Sequence, residues 1–308
     1  MIFWIFLLIT ALYFLYKVSE IAEEELVRFA EYSGITHMAV GFIFLATATS
    51  LPELSISISS AFLKNQEISV GISIGNILYD LLLILPLVAI WRGLRFDEKN
   101  IRKIKLISLI SLLALFPIIL LKSVERIYGI ALVISFLIFC RFFLQEKLNR
   151  YRFSAKEEKF RNKLTLSFSL IAISLLSFII NLSTERIAEL ANISILTIGS
   201  LFVSVFTASP ELFTCLAAAK KKNYDIVVGT LYGTLIFDTL FVIGATSIIS
   251  PIPISDINQF LLLYCFLFAT LISIILMIVR KREIDIGSSV FLLMLFALWI
   301  FLSILLEI

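Results

Sequence analysis

Long apolar runs separated by short polar breaks dominate the chain. They fall at about 2–18, 35–62, 68–91, 104–121, 126–145, 164–183, 191–219, 225–249, 257–279 and 285–306. A helix that crosses a bilayer needs about 20 apolar residues, so the pattern predicts ten membrane-spanning helices. The second and seventh runs are longer than one crossing needs, and each holds an internal proline, Pro52 and Pro210. Proline removes a backbone donor and crowds the preceding turn, so both helices are expected to break there. The longest polar break, 146–163, divides the chain into a first set of five helices (1–145) and a second (164–308).

Composition changes the picture in one respect: it removes water as the main solvent. Of the 308 residues 60% are hydrophobic and only 16% charged, and the mean hydropathy is +1.04. A soluble domain is about a quarter charged. The partner demanded is a lipid bilayer, and nothing in the sequence points to nucleic acid, to an obligatory protein partner or to a resident cofactor. Cys140, Cys215 and Cys265 all lie in apolar runs and do not read as a disulfide framework. The N-terminal run lacks a basic leader and a small-residue cleavage site, so it is expected to remain as the first helix.

Charge gives an orientation. Assigning the polar breaks to alternate sides puts 22 of the 26 Lys and Arg residues on one side and 4 on the other. Basic residues accumulate on the cytoplasmic side. The 146–163 loop is therefore expected in the cytoplasm and both termini outside.

A repeat underlies the ten runs. Residues 41–80 align without a gap to 199–238, at an offset of 158, with 14 identities in 40 positions. The identities include Thr49/Thr207, Pro52/Pro210, Glu53/Glu211, Gly71/Gly229, Gly75/Gly233 and Asp80/Asp238. Each copy begins in the second helix of a five-helix half. Five is odd, so the second half enters the membrane from the opposite side, and the halves become inverted repeats. The expected fold is thus an all-α membrane protein of ten helices in two inverted five-helix repeats, with broken second and seventh helices. Glycines spaced as Gly71/Gly75 and Gly229/Gly233 suit close helix packing.

Four acids carry the chemistry. Glu53, Asp80, Glu211 and Asp238 stand in apolar surroundings at membrane depth, with the same 27-residue spacing in each repeat. One bare carboxylate there costs at least about 2.5–3.5 kcal/mol, so four require cations or protons. Pro52 and Pro210 leave the carbonyls of Ala48 and Phe206 without their usual donors. Thr49, Ser50 and Thr207 add hydroxyls, and Asn76 and Thr234 lie one turn before the two Asp. An all-oxygen set without Cys or His suits Ca²⁺ or Na⁺ better than Zn²⁺ or copper. Like charges so close are expected to titrate as one coupled cluster, with protons taking over when no cation is bound.

The segments ATSLPE (48–53), ASPE (208–211), GISIGNILYD (71–80) and GTLYGTLIFD (229–238) resemble the α-repeats of the cation/calcium exchanger superfamily, most closely its short prokaryotic sodium/calcium exchangers. The resemblance implies a secondary active antiporter that exchanges Ca²⁺ for Na⁺ by alternating access. It implies Glu53 and Glu211 as main Ca²⁺ carboxylates and Thr49 and Thr207 as further oxygens. Ala46 and Ser204 would offer backbone carbonyls, Ser50, Asn76 and Thr234 would complete Na⁺ sites, and Asp80 and Asp238 would sit centrally. The chain departs from the family's usual pattern at Ala208, where Ser is common, and in having Asp at both central positions. A Ca²⁺/H⁺ antiporter is therefore the alternative. A cation channel would more often use identical rings in an oligomer. An intramembrane aspartyl protease would use Asp80 and Asp238 but leave both Glu unexplained, so an enzyme is not expected.

Overall fold

The computed structural model describes residues 2–32, 49–144, 163–220 and 222–307. The first half contributes α1 (Ile2–Tyr32), α2 (Leu51–Leu63), α3 (Glu67–Arg92), α4 (Glu98–Leu121) and α5 (Arg126–Leu144). The second contributes α6 (Lys163–Ala191), α7 (Ile195–Lys220), α8 (Tyr224–Ile249), α9 (Ile257–Lys281) and α10 (Ile286–Leu305). The protein is an all-helical membrane protein. Among the described residues, seven helices are long and apolar enough to cross a bilayer, and Ile2–Leu15 and Leu51–Leu63 are shorter apolar helices. Large apolar side chains such as Leu113, Leu120, Leu276 and Phe301 point outward, as a lipid-facing surface requires.

The predicted runs and the helices agree to within a few residues in most cases. The exceptions are α1, which continues past residue 18 through the acidic stretch from Glu20 to Glu25 as far as Tyr32, α4, which starts six residues before its run, and α6, which continues eight residues past 183 to Ala191. Glu, Ala and Leu are strong helix formers, so loss of hydropathy does not end the helix. Residues 35–48, expected as part of the second run, and the expected linker from 146 to 162 lie outside the described residues.

Short strands tie the halves together at both ends of the molecule. β1 (Leu94–Arg95) pairs antiparallel with β4 (Glu283–Ile284), Leu94 opposite Ile284. β2 (Ser123–Val124) pairs with β3 (Ile252–Pro253), Val124 opposite Ile252. Each pair therefore joins one strand of the first half to one of the second. The flanking polar contacts repeat the same exchange. Gln66 donates to Ser250 Oγ and to the Pro251 carbonyl at 3.1 Å, and Glu67 Oε1 accepts from the Ser255 amide at 2.8 Å. At the other end Tyr224 donates to the Arg92 carbonyl at 3.3 Å, and Asp225 Oδ1 accepts from Asn100 Nδ2 at 2.9 Å. The offset of 158 carries Gln66 to Tyr224 and Glu67 to Asp225.

Helix ends follow ordinary capping chemistry. Asp97, Asp256 and Asp285 each accept from a backbone amide three residues on, which satisfies an orphan donor of the first turn. The carboxyl of Asp285 is held well below the usual carboxylate range by hydrogen bonds from Lys281 and Ser288, so this cap stays charged at neutral pH. Lys64, Lys122, Lys222 and Arg282 end helices in the left-handed region, with φ of 64°, 54°, 59° and 55°.

Two apolar cores result. The smaller is built from α1 and α6 against one face of α2, α3 and α7, through residues such as Leu12, Ile56, Ile72, Ile173 and Ile180. The larger joins α3 and α8 to α4, α5, α9 and α10. The candidate site lies among α2, α3, α7 and α8.

Candidate functional site

Two helix interruptions and two helix widenings shape the site. Ser50, just before α2, has φ −88° and ψ 14°. Ala208, inside α7, has φ −73° and ψ −5°. Both depart from helical ψ toward the bridge region, and they are the same position in the two repeats. The break falls two residues before each proline, and helix resumes at Leu51 and at Ser209. Glu53 and Glu211 then stand in the first turn of the resumed helix. The unpaired amides and dipole of a helix N-terminus favour negative charge there.

The widenings are π-helical. They cover Asp80–Ile84 in α3 and Phe237–Val242 in α8. In each, the defining bond runs back to the acid itself: the Leu85 amide donates to the Asp80 carbonyl, and the Ile243 amide to that of Asp238. Single π turns inside α-helices often mark functional sites. A third, Gly199–Val203, precedes Ser204.

Burial is complete. Thr49, Ser50, Glu53, Asn76, Asp80, Ser204, Thr207, Glu211, Thr234 and Asp238 are all buried, none more than 1% exposed. Ala46 lies outside the described residues. Glu53 is in electrostatic reach of Glu211 and Asp238, and Asp80 of Glu211 and Asp238. The structure thus brings acids from both repeats into one neighbourhood. Asn76 Nδ2 donates to Asp238 Oδ2 at 3.4 Å, across the repeats. The matching pair does not form: among the described residues, Thr234 Oγ1 and both oxygens of Asp80 find no partner. Among the described residues the Ser50 hydroxyl is likewise unpartnered, and the Glu53 carboxylate lies beside the Thr207 hydroxyl. Ser204 Oγ donates to the Gly199 carbonyl at 2.7 Å, and Thr207 Oγ1 to the Ser204 carbonyl at 3.5 Å. Among the described residues, no three acidic, His or Cys side chains close into a ready metal cage. A cation here would draw hydroxyls, amides and backbone carbonyls into its shell as well.

Glycines set the closeness of this packing. A Cβ on Gly71 would lie 2.5 Å from the Leu196 carbonyl oxygen, and one on Gly75 would lie 2.5 Å from that of Ser200 and meet Ser204 Oγ. α3 therefore lies almost directly on the backbone of α7, as the glycine spacing suggested.

One polar feature beside the site escaped the sequence reading. Asn181 of α6 donates Nδ2 to the Ile56 carbonyl of α2 at 2.8 Å and to the Ser177 carbonyl at 3.1 Å. Ser57, one turn beyond Glu53, is buried with no partner for its hydroxyl. The available signal was small polar residues at i+4 and i+7 from Glu53. The partner helix belongs to the other half and carries its polar residues singly in an apolar run.

Oxygen-bearing groups buried where two helices break and two widen, on an all-helical membrane scaffold, define an ion transporter. The sequence model of the family described as "Sodium/calcium exchanger protein" matches residues 3–145 and 163–305. The chain belongs to this family. It is 26% identical to "Inner membrane protein YrbG" of Escherichia coli (strain K12), over 71% of each chain. It is 26% identical to "Uncharacterized membrane protein MJ0091" of Methanocaldococcus jannaschii, over 75% of this chain and 77% of that one. It is 24% identical to "Putative antiporter CaxA" of Alkalimonas amylolytica, over 71% of this chain and 72% of that one. Its fold is that of the sodium-calcium exchanger NCX_Mj. A structure of that protein soaked with Na⁺ and Sr²⁺ superposes with a TM-score of 0.66 at 24% identity, covering 96% of this chain and 97% of the other. The expected resemblance to short prokaryotic exchangers is thereby met, and the protein is a cation/calcium antiporter by family.

Proposed function

We propose that the protein exchanges Ca²⁺ for Na⁺ by alternating access, with the ions bound among Glu53, Asp80, Glu211 and Asp238. The observation that carries this reading is the pairing of acids across the repeats. Each repeat buries a Glu in the first turn of a resumed helix and an Asp on a π turn, and Glu53 and Asp80 of the first are each in electrostatic reach of Glu211 and Asp238 of the second. Buried carboxylates without counter-charges are costly; a divalent cation or several monovalent ones would compensate them. Thr49, Ser50, Asn76, Thr207 and Thr234 would supply further side-chain oxygens, and Ala46 and Ser204 backbone carbonyls. The ten-span plan, with inverted halves 1–145 and 164–308 around the 146–163 linker, accompanies this reading. Both termini then lie outside and the linker in the cytoplasm, as the Lys and Arg distribution favours.

Exchange would work as follows. Ca²⁺ and Na⁺ compete for one set of carboxylates, so occupancy by one ion type disfavours the other. Exposure of the filled set to alternate sides then couples their fluxes. The test is ⁴⁵Ca²⁺ uptake into proteoliposomes under an outward Na⁺ gradient. Uptake that needs the gradient supports the reading; uptake that persists without any counter-ion overturns it.

A second reading, Ca²⁺/H⁺ exchange, is favoured by one observation. Both central positions are Asp, and among the described residues Asp80 has no hydrogen-bond partner whereas Asp238 accepts from Asn76. A pH gradient imposed in the same liposomes without Na⁺ separates the two.

A further inference from the structure

We propose that the cleft between the end of α3 and the start of α10 binds an anionic phospholipid, with its phosphate on Arg92 and its acyl chains along the outer faces of the two helices. The cleft holds about 720 Å³, within the range of about 300–1,000 Å³ usual for small-molecule sites. α3 lines it with Ala89, Ile90 and Arg92, and α10 with Ile286 and Gly287. The β1–β4 pair and Tyr224 of α8 complete the wall. None of the four buried acids lines it, and the proposal does not depend on which ions are exchanged.

The cleft exists because two matched helix pairs pack differently. The offset of 158 relates the α3–α10 seam to the seam between α8 and α5, carrying Ala89 to Ser247 and Gly129 to Gly287. Between α8 and α5 a Cβ on Gly129 would meet Ser247 Oγ and the Gly244 carbonyl, so that seam is closed. Between α3 and α10 a Cβ on Gly287 would find only Asp285 Oδ1, at 3.9 Å, and one on Gly93 would find nothing within 4 Å. Deeper in, α3 and α10 do close: the Tyr79 ring meets Phe296 and Trp299 edge-on, with centroids 5.2 and 5.4 Å away. The gap is therefore confined to the mouth.

Chemistry selects the occupant. Arg95, Glu283 and Asp285 also line the cleft, but their charges are answered locally. Arg95 pairs with Glu283 at 3.3 Å, and Lys281 with Asp285. Arg92 meets no carboxylate among the described residues; its guanidinium lies over the Trp91 ring, 4.4 Å from the centroid. A stacked guanidinium keeps its N–H edge for a phosphate, which it can bind through two parallel hydrogen bonds. Trp91 is 48% exposed, and Trp beside Arg is typical of the level at which headgroups lie. From there exposed apolar residues run on: Leu87 and Ile90 on α3, Ile286, Val290 and Met294 on α10. The occupant must be anionic at one end and apolar along the other, and a free phosphate or an acidic peptide meets only the first demand. The basic excess of the chain also falls at this end, which gathers anionic lipid. Held here, the lipid braces the β1–β4 pair that joins the halves.

The experiment reads lipid selectivity by tryptophan quenching in the full-length protein, reconstituted in phosphatidylcholine bilayers. Trp4→Phe leaves Trp91 at the cleft and the buried Trp299 as a reference. Dibrominated phosphatidylglycerol should quench Trp91 with an association constant about 5-fold above that of dibrominated phosphatidylcholine, the worth of one basic group at an anionic lipid surface. Arg92→Gln should abolish the preference. So should Gly287→Leu, which fills the cleft and leaves every charge in place. Lys105→Gln, exposed on α4 outside the cleft, should keep it. Equal quenching by the two lipids before any of these changes overturns the proposal. So does a preference that Lys105→Gln lowers as much as Arg92→Gln, because general attraction to the basic end would then suffice. Millimolar glycerol 3-phosphate should not relieve the quenching; relief would assign Arg92 to a soluble phosphate ligand and overturn the lipid. Thermal unfolding in detergent gives a second measurement. Phosphatidylglycerol should raise the midpoint of the wild type and not that of Gly287→Leu; equal shifts in both would put the lipid elsewhere on the surface and overturn the cleft.

Discussion

Glu53 and Glu211 occupy the same position in their repeats but keep different company. Around Glu53 stand the Ser50 hydroxyl, Ser57 and Ser60; the matched positions around Glu211 are Ala208, Cys215 and Ala218. The two Asp differ in the opposite sense. Asp238 accepts from Asn76 across the repeats, whereas among the described residues neither Asp80 nor Thr234, at the matching positions, finds a side-chain partner. The helix interruptions and π turns are shared, so duplication has kept the backbone devices and the charges. It has let the neutral oxygens diverge. A site with equal charges and unequal neutral ligands can hold one divalent ion centrally while treating its two approaches differently.

Removing charge tests the shared part and carries the largest effect. Glu53→Gln and Glu211→Gln should each lower ⁴⁵Ca²⁺ uptake by about 100-fold or more, since Ca²⁺ depends most on its charged ligands. If one variant keeps a tenth of wild-type uptake, the two Glu are not equivalent and the comparison breaks at its strongest point.

Packing offers the next contrast. Gly129 and Gly287 stand at the offset of 158 near the starts of α5 and α10. A Cβ on Gly129 would meet Ser247 Oγ and lie 2.8 Å from the Gly244 carbonyl oxygen; on Gly287 it would find only Asp285 Oδ1, at 3.9 Å. Gly129→Ala should destabilise by about 1–3 kcal/mol, seen as a lowered midpoint of thermal unfolding in detergent. Gly287→Ala should leave the midpoint unchanged.

A smaller effect separates the two Asp. Protons and Ca²⁺ compete for the same oxygens, so apparent Ca²⁺ affinity should fall as pH is lowered from about 8 to about 5. Asp80→Asn should flatten that profile while sparing affinity at the alkaline end. Profiles of wild type and variant that coincide would remove Asp80 as a proton site and leave it as a ligand for a monovalent cation.

The smallest effects lie at the ends of the molecule. Glu67 Oε1 accepts two backbone amides, those of Ser255 and Asp256, and Glu67→Gln should cost about 1 kcal/mol by weakening charge-assisted bonds. At the other end Glu98 pairs with Arg282 at 2.7 Å, both side chains more than 60% exposed. Glu98→Gln should cost less than about 0.5 kcal/mol. Chemical denaturation of both variants compares the two ends directly.

Much of this was legible because lipid simplifies the pattern. Apolar runs had to be helices, since backbone groups in hydrocarbon must bond within their own segment. The same cost made Glu53, Asp80, Glu211 and Asp238 conspicuous. Backbone detail was not legible. Pro52 and Pro210 announced a break, but its position two residues earlier, at Ser50 and Ala208, depends on how α2 and α7 seat against α3. The π turns at Asp80 and Asp238 have no composition of their own. Hydropathy also placed the end of α1 too early, because a helix that leaves the bilayer continues wherever its residues favour helix. The α2–α6 hydrogen bond was hidden because Ile56 and Asn181 are 125 positions apart and each looks incidental alone.

The exchanged strand pairs bear on how the chain is assembled. β2 emerges from the ribosome long before β3, and β1 long before β4, so neither strand of the first half has its partner when that half is made. The helices before residue 145 are therefore made with neither strand pair yet closed. Closure comes only when residues near Glu283 arrive, so quality control that senses loose ends would act late, on nearly finished chains. By the same arrangement, two co-expressed fragments divided within 146–163 would carry complementary strands for each end.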